Sequence, residues 1–452
     1  MPVNPADSPV FGTLYGSDAM RAVFDDSAYL RRMLEVEAAL ARVQSRLGII
    51  PTAAAERITE AAASGPLDAT TLAASVRNVG YPVVGVVKQL SERAGEAGGW
   101  PHWGATTQDI MDTALVLMVR DGLRLIGNEL ASIVRALAQQ ADAHRDTVMA
   151  GRTHLQQALP ITFGFKCAVW AQPLITHLVR LTEIAARVEQ VEFAGAAGTL
   201  ASLGEDGLAV MEGLAGELGL AAPPAPWHAV RDSFAEVVCF LGLVTGSLAK
   251  IATDVALLAQ SEIDELTEPY VEGRGASSTM PQKRNPIASE YILAAARVVA
   301  ALVPVMLGAM ASDHERATGP WQAELLALPQ AFVLTHGALQ HARNIAEGMV
   351  VDAVRMRANL VQGGGLIVAE AVMMGLAPYL GRGEAHHAVA HAASRAREER
   401  ITLAAALASE PKVTAHLDEA AINRLIDPAN YLGSASAFID RVLVAARAAG
   451  VA

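Results

Sequence analysis

The stretch 236–266 constrains the fold more than any other part of the chain. Val237, Leu241, Val244, Leu248, Ile251, Val255 and Leu258 recur at alternating spacings of four and three. That heptad stripe requires a long helix flanked by apolar partners along its whole length. Comparable Ala- and Leu-rich stretches cover 109–143, 161–191 and 286–311, and no long β-branched alternation competes with them. All exceed the usual helix length, so the pattern predicts an all-α chain with a central bundle of about five long helices. Gly242 and Gly246, on the striped helix, are expected to let a neighbouring helix approach closely. The flanks read differently. Residues 1–105 carry shorter helical patterns broken at Gly80-Tyr81-Pro82 and Gly98-Gly99-Trp100-Pro101, and 351–452 are again short-helical. The chain thus divides into three regions, 1–105, 106–350 and 351–452, with no internal repeat.

Charge and composition narrow the function. Thirty-five Lys and Arg stand against 47 Asp and Glu, a net charge of −12. That balance argues against a nucleic-acid surface, which needs basic residues to neutralise phosphates. A small anionic substrate stays possible, because a few focused cations can outweigh the global charge. The two cysteines, Cys167 and Cys239, lie in apolar runs and read as inert core thiols in a reducing compartment. The first twenty residues lack a basic segment followed by an apolar run, so no signal peptide is expected. The apolar stretch 298–311 falls short of the roughly 20 residues a bilayer crossing needs. The expectation is a cytoplasmic protein with no membrane partner.

One segment does not read as structural. Residues 273–286, Gly-Arg-Gly-Ala-Ser-Ser-Thr-Met-Pro-Gln-Lys-Arg-Asn-Pro, combine two glycines, three hydroxyl side chains, two prolines and three cations between two helical patterns. Composition alone would allow a solvated loop. The order of residues closely resembles the G-S-S-x-M-P-x-K-x-N-P loop of the fumarase/aspartase superfamily, with Ala276 just before the serines as the departure. The resemblance extends along the chain and is nearest to the branch holding 3-carboxy-cis,cis-muconate cycloisomerases and adenylosuccinate lyases. It implies a three-domain, mainly helical fold whose five-helix central domains assemble into a twenty-helix homotetramer core. Each active site would then draw segments from three subunits. No cofactor and no metal are implied.

Superfamily members remove a proton beside a carboxylate and expel a leaving group from the neighbouring carbon. That chemistry needs a base, a cradle for the enolate-like carboxylate and an acid. By resemblance Ser277 is the base, acting as an alkoxide once cations and amides stabilise it, with Ser278 as its neighbour. Lys283 and Asn285 match the residues that hold the substrate carboxylate. In His102-Trp-Gly-Ala-Thr-Thr-Gln-Asp-Ile-Met-Asp112, Thr106 and Thr107 stand where a helix begins and can bind a carboxylate there. His102 matches a histidine of the same branch. The bland reading of this run is a helix cap, with Asp109 and Asp112 as helix-start charges. In Gly151-Arg-Thr-His-Leu-Gln156, His154 matches the acid-catalysis histidine of adenylosuccinate and argininosuccinate lyases, with Thr153 and Gln156 as substrate contacts. Glu290 matches the glutamate that pairs with that histidine and raises its pKa. Arg231 and Arg316 match segments in which arginine contacts substrate. The pair His386-His387 reads as helix surface.

Two reactions compete. Leu14–Met20, Pro226–Asp232, Asp313–Arg316 through Trp321–Glu324, and Asp427–Gly433 look most like the cycloisomerases, which add a carboxylate across a double bond. His154 and Glu290 together point instead to a leaving group that must be protonated. The expected substrate is a small di- or tricarboxylate, in first place an N-substituted aspartate yielding fumarate. Leu14-Tyr15-Gly16 lacks the arginine with which adenylosuccinate lyases help bind nucleotide phosphate.

Overall fold

The computed structural model describes residues 4–269, 273, 275, 279–280, 282–316 and 318–451. The chain is mainly α-helical, and its long helices are Thr107–Ala143, Phe163–Val188, Asp232–Leu258, Ile287–Ala309 and Pro320–Gly348, whereas Ala369–Glu398 is two shorter helices broken at Gly381, which has φ 75°. Two departures from the sequence reading have local causes. The striped helix ends at Leu258 rather than near 266, because the apolar repeat stops there. Beyond Leu258 the chain makes a polar turn, with Asp264 at φ 52°, and then a short strand at Leu266–Thr267. Ile161 and Thr162 are strand, not helix: Val148–Thr153 and Gln156–Thr162 form an antiparallel hairpin. The apolar run around 298–311 belongs to a 23-residue helix that starts at Ile287. It and Asp232–Leu258 are both long and apolar enough to cross a membrane by length and composition.

The residues fall into two compact units, Met1–Glu129 with His177–Leu248 and Tyr291–Gln340, and Leu130–Thr176 with Ala249–Glu290 and His341–Ala452. In the first unit, Met33, Leu40, Val43, Ile58, Leu90, Ile110, Leu117, Phe193, Val210 and Leu214 are buried in one cluster. The stripe residues Val237, Leu241, Val244 and Leu248 are 0% exposed. A Cβ on Gly242 would meet Val303 at 3.1 Å, the close helix approach expected there, whereas Gly246 is exposed with open space around it. In the second unit, Val148 and Ala150 of the hairpin pack on Leu360, Ile367, Val368 and Ala371. Cys167 is buried and its thiol is pushed up by burial; Cys239 is half-buried and shifted the same way.

Candidate active site

In the first unit the site segments meet around a buried polar hub. Thr107 opens its helix, and the Thr106 amide donates to Asp109 Oδ2 at 2.8 Å. A carboxylate three positions into a helix taking the cap amide is half of a capping box. So the Thr106 amide, expected to serve a substrate carboxylate, is already bound to the chain's own. Asp109 does more than start a helix. It is 1% exposed and also accepts the Ala194 and Gly195 amides at 3.0 Å each, and His228 Nε2 lies 2.7 Å from its Oδ1. Asp109, Glu192 and His228 bring ligand-type atoms within 4.8 Å of one another. Both Asp109 oxygens are nevertheless saturated by the four bonds just named.

Arg231, expected to contact substrate, is instead locked inside the hub. Its guanidinium donates to Asp112 at 2.6 and 3.1 Å and to Glu324 at 2.9 and 2.5 Å. All three side chains are 1% exposed, and the cation also lies over Trp227 and Phe234 at 5.1 and 5.2 Å. Trp321 Nε1 and Gln108 Nε2 complete the shell of Asp112 at 3.1 and 2.9 Å. The hub carries more carboxylates than cations. Burial, followed by the charges of Asp112 and Asp109, pushes the Glu192 carboxyl up to about 9. Burial also raises Glu324, against the lowering by Arg231. Arg316 keeps some exposure; its Nε donates to Gln108 Oε1 at 3.1 Å and its Nη2 to the Ala196 carbonyl at 3.1 Å. His102 Nδ1 lies 2.7 Å from Glu37, a carboxylate that is 1% exposed.

In the second unit the hairpin presents the acid candidate. Thr153 pairs with Gln156, leaving His154 and Leu155 as a two-residue turn at φ 52° and 62°. A turn with two positive φ values favours Asn and Gly, so His and Leu there are strained, as residues held for function often are. Both are exposed. The foot of the hairpin is rigid: Arg152 donates to Glu265 at 2.9 and 2.6 Å, and Asn359 Nδ2 donates to Glu265 Oε1 at 2.7 Å. His154, Gln156, Arg152, Lys166 and Asp254 line a cavity of about 610 Å³.

A second cavity, of about 790 Å³, is lined by Lys283, Arg284 and Asn285 together with Gln260, Asp264 and Glu268. The Asn285 amide donates to the Gly275 carbonyl at 3.0 Å, and a Cβ on Gly275, which has φ 70°, would strike the Asn285 carbonyl at 2.7 Å. The glycine is therefore what lets the loop fold back on Asn285. Glu268 caps the next helix, accepting the Ala288 and Ser289 amides at 3.0 and 2.8 Å. Ser277 and Ser278 lie outside the described residues. Glu290 is exposed in the first turn of Ile287–Ala309, its amide donating to the Pro286 carbonyl at 3.1 Å, and neither its carboxylate nor the His154 ring has a hydrogen bond or ion pair among the described residues. Within one chain, then, His154 joins Gln156, and Lys283 joins Asn285, while the expected His154–Glu290 pair is not formed.

Gln108, Glu192, Glu324, Glu37, Glu265 and Asn359 also hold the site, and no motif in the sequence assigns them a role. Arginines beside recognised segments are the available signal, since a buried Arg231 and a half-buried Arg152 must find carboxylates.

Long helices, polar segments held by buried ion pairs and a Lys283–Asn285 segment lining a cavity make up the candidate site, and the comparisons supply its class. The family model described as "Lyase" matches residues 15–301, and that described as "Adenylosuccinate lyase C-terminus" matches 365–442. The chain belongs to the fumarase/aspartase superfamily. It is similar to a fumarate lyase of Mesorhizobium sp. BNC1 of known structure, at 49% identity over 95% of this chain and 98% of that one, with a TM-score of 0.91. It is 45% identical to a 3-carboxy-cis,cis-muconate cycloisomerase of Pseudomonas aeruginosa, covering 98% of this chain and 97% of the relative. A nitrosuccinate lyase of Streptomyces davaonensis is 41% identical over 97% of this chain and 94% of its own length.

Proposed function

We propose that this enzyme is an eliminative lyase that takes a small substituted succinate, in first place an N-substituted aspartate, and releases fumarate. The observation that carries the reading is His154, an exposed imidazole on a strained two-residue turn whose foot is fixed by Arg152, Glu265 and Asn359. A reaction with a leaving group to protonate uses such a group, because imidazole titrates near neutrality. In this scheme Ser277 removes the proton beside the carboxylate, with Ser278 next to it. Lys283 and Asn285 cradle the enolate-like carboxylate, and His154 protonates the departing atom. Glu290 of another subunit pairs with His154, which accounts for the absence of that pair within one chain. Thr153, Gln156, Thr106, Thr107, His102 and Arg316 complete the substrate contacts. The similarity to relatives named for nitrosuccinate and for fumarate supports a succinate-type substrate.

A homotetramer supplies the missing subunits. The helix Ile287–Ala309 leaves Val298, Val305 and Leu307 between 42% and 49% exposed, and Leu326 of Pro320–Gly348 is 77% exposed. Apolar side chains in that number on long helices are surfaces for other copies of the chain. The same faces, buried between copies, make a membrane partner unnecessary and fit a cytoplasmic enzyme.

A second reading, lactone formation by a 3-carboxy-cis,cis-muconate cycloisomerase, is favoured by the 45% identity to the Pseudomonas aeruginosa enzyme. Incubating the protein with a panel of substituted succinates, and separately with carboxymuconate, discriminates the two. Fumarate from a succinate supports elimination; lactone with no fumarate from any succinate overturns it.

A further inference from the structure

Glu37 sits in the helix Asp26–Arg46, where it is 1% exposed. A sealed carboxylate must have partners, and both of its oxygens go to one residue. The His102 amide donates to Oε2 at 2.9 Å, and His102 Nδ1 lies 2.7 Å from Oε1. His102 has φ 62°, a left-handed conformation that strains a non-glycine residue. The carboxylate thus holds both the strained backbone and the ring of one histidine. The side chain of His102 stays 22% exposed while that of Glu37 is 0% exposed, and Nε2 has no partner among the described residues. A brace between two segments would need only one of these bonds.

We propose that Glu37 is a positioning residue: it fixes His102 with Nδ1 bound and Nε2 presented to an anionic group of the substrate. The inference deepens the eliminative reading and rests on it. With its Nδ1 proton held by a carboxylate, the neutral ring leaves Nε2 as an acceptor; as an imidazolium, the form Glu37 favours, Nε2 donates as well and brings a full charge toward a carboxylate. Burial lowers the affinity of the ring for its second proton. The hydrogen bond and charge of Glu37, with a smaller contribution from Asp109, outweigh burial and leave the imidazolium favoured. Among the described residues, those two carboxylates are the charged groups that face His102. Because the shift is upward, the imidazolium is complete below the ordinary histidine value and is lost only as pH rises through the raised one.

The first readout needs no assumption about the reaction. Exchange of the His102 C2 proton for deuterium, followed across pH by mass spectrometry, reports its titration in the intact protein, and tryptic cleavage isolates His102 as the only histidine between Ala94 and Arg120. Glu37→Gln is expected to lower the His102 midpoint by about one to three pH units, the usual effect of one adjacent carboxylate, with the other histidines unmoved. Fumarate at saturation is expected to raise the midpoint in the wild type and to do so less in Glu37→Gln. For whichever succinate is turned over, KM should rise about tenfold or more in Glu37→Gln above its lowered midpoint, with kcat less affected and Glu37→Asp restoring part of the loss. An unmoved midpoint in Glu37→Gln overturns the proposal, as does a lowered one with KM unchanged. No fumarate effect on His102 in an enzyme that releases fumarate overturns it as well. Absence of turnover with every succinate defeats the eliminative reading instead. In that case carboxymuconate takes the place of fumarate as the titration probe, and the same outcomes decide.

Discussion

Replacing Arg231 with Met would test whether the hub beneath the first-unit segments is held by charge. Methionine keeps much of the volume and removes the cation. Asp112 would retain Gln108 and Trp321 as donors, but Glu324 would lose both of its bonds, which come only from Arg231 among the described residues. A carboxylate that is 1% exposed cannot stay ionised without a partner. Breaking one side of such a pair costs about 3–5 kcal/mol, so a loss of that size is expected near pH 8. Glu324 is already raised by burial, and without Arg231 its pKa climbs further. A carboxyl raised in the folded state gives up stability as pH rises above its unfolded value, at up to about 1.4 kcal/mol per pH unit. Arg231→Met should therefore recover part of its loss toward pH 5.5, where Glu324 takes up a proton. Adding Glu324→Gln should recover a similar part at pH 8. Urea midpoints at one fixed protomer concentration read the effect, because association contributes to stability. A loss under about 1 kcal/mol, or one that is the same at both pH values, would mean that charge does not hold the hub.

Ser277→Ala should lower kcat by at least about 10²–10⁴-fold, the range for losing a positioned base, measured by fumarate appearance. His154→Asn should cost a similar factor for a substrate with an amine leaving group and much less for one whose leaving group departs as a stable anion; equal losses on both would remove His154 from acid catalysis. Glu192→Gln imitates the protonated form of a carboxyl pushed up to about 9. The wild type is expected to lose stability as pH rises through the interval from the ordinary carboxyl value to that one, and the variant to lose less, as read by thermal melts across pH. Gly164→Ala places a Cβ 2.3 Å from the Ala141 carbonyl oxygen, and should cost about 1–3 kcal/mol through forced backbone movement.

The long helices were legible because their signal is local and periodic. Val237 to Leu258 needed only the spacing of apolar residues, and that same repeat marks where the helix stops. The hairpin before Phe163 was missed because Ile161 and Thr162 lie beside a strong helical pattern, and their pairing with Val148 and Met149 is a contact across the turn that apolar period does not encode. The candidate site was legible as motifs and not as geometry. Arg231 was recognised, but its destination depends on Glu324, 93 residues further on. Asp109 was read as a helix-start charge, which it is, while its second oxygen and burial depend on the 194–195 amides. Glu37 carried no signal, because a lone glutamate in an amphipathic helix is normally a solvated one.

Product identity with the purified enzyme decides between elimination and lactone formation. Substituted succinates with nitrogen, sulfur and oxygen leaving groups, and carboxymuconate in parallel, are followed by ultraviolet absorbance and chromatography. Fumarate is expected from at least one succinate, abolished by Ser277→Ala and reduced by His154→Asn. Lactone from carboxymuconate, with no fumarate from any succinate, would contradict an eliminative lyase.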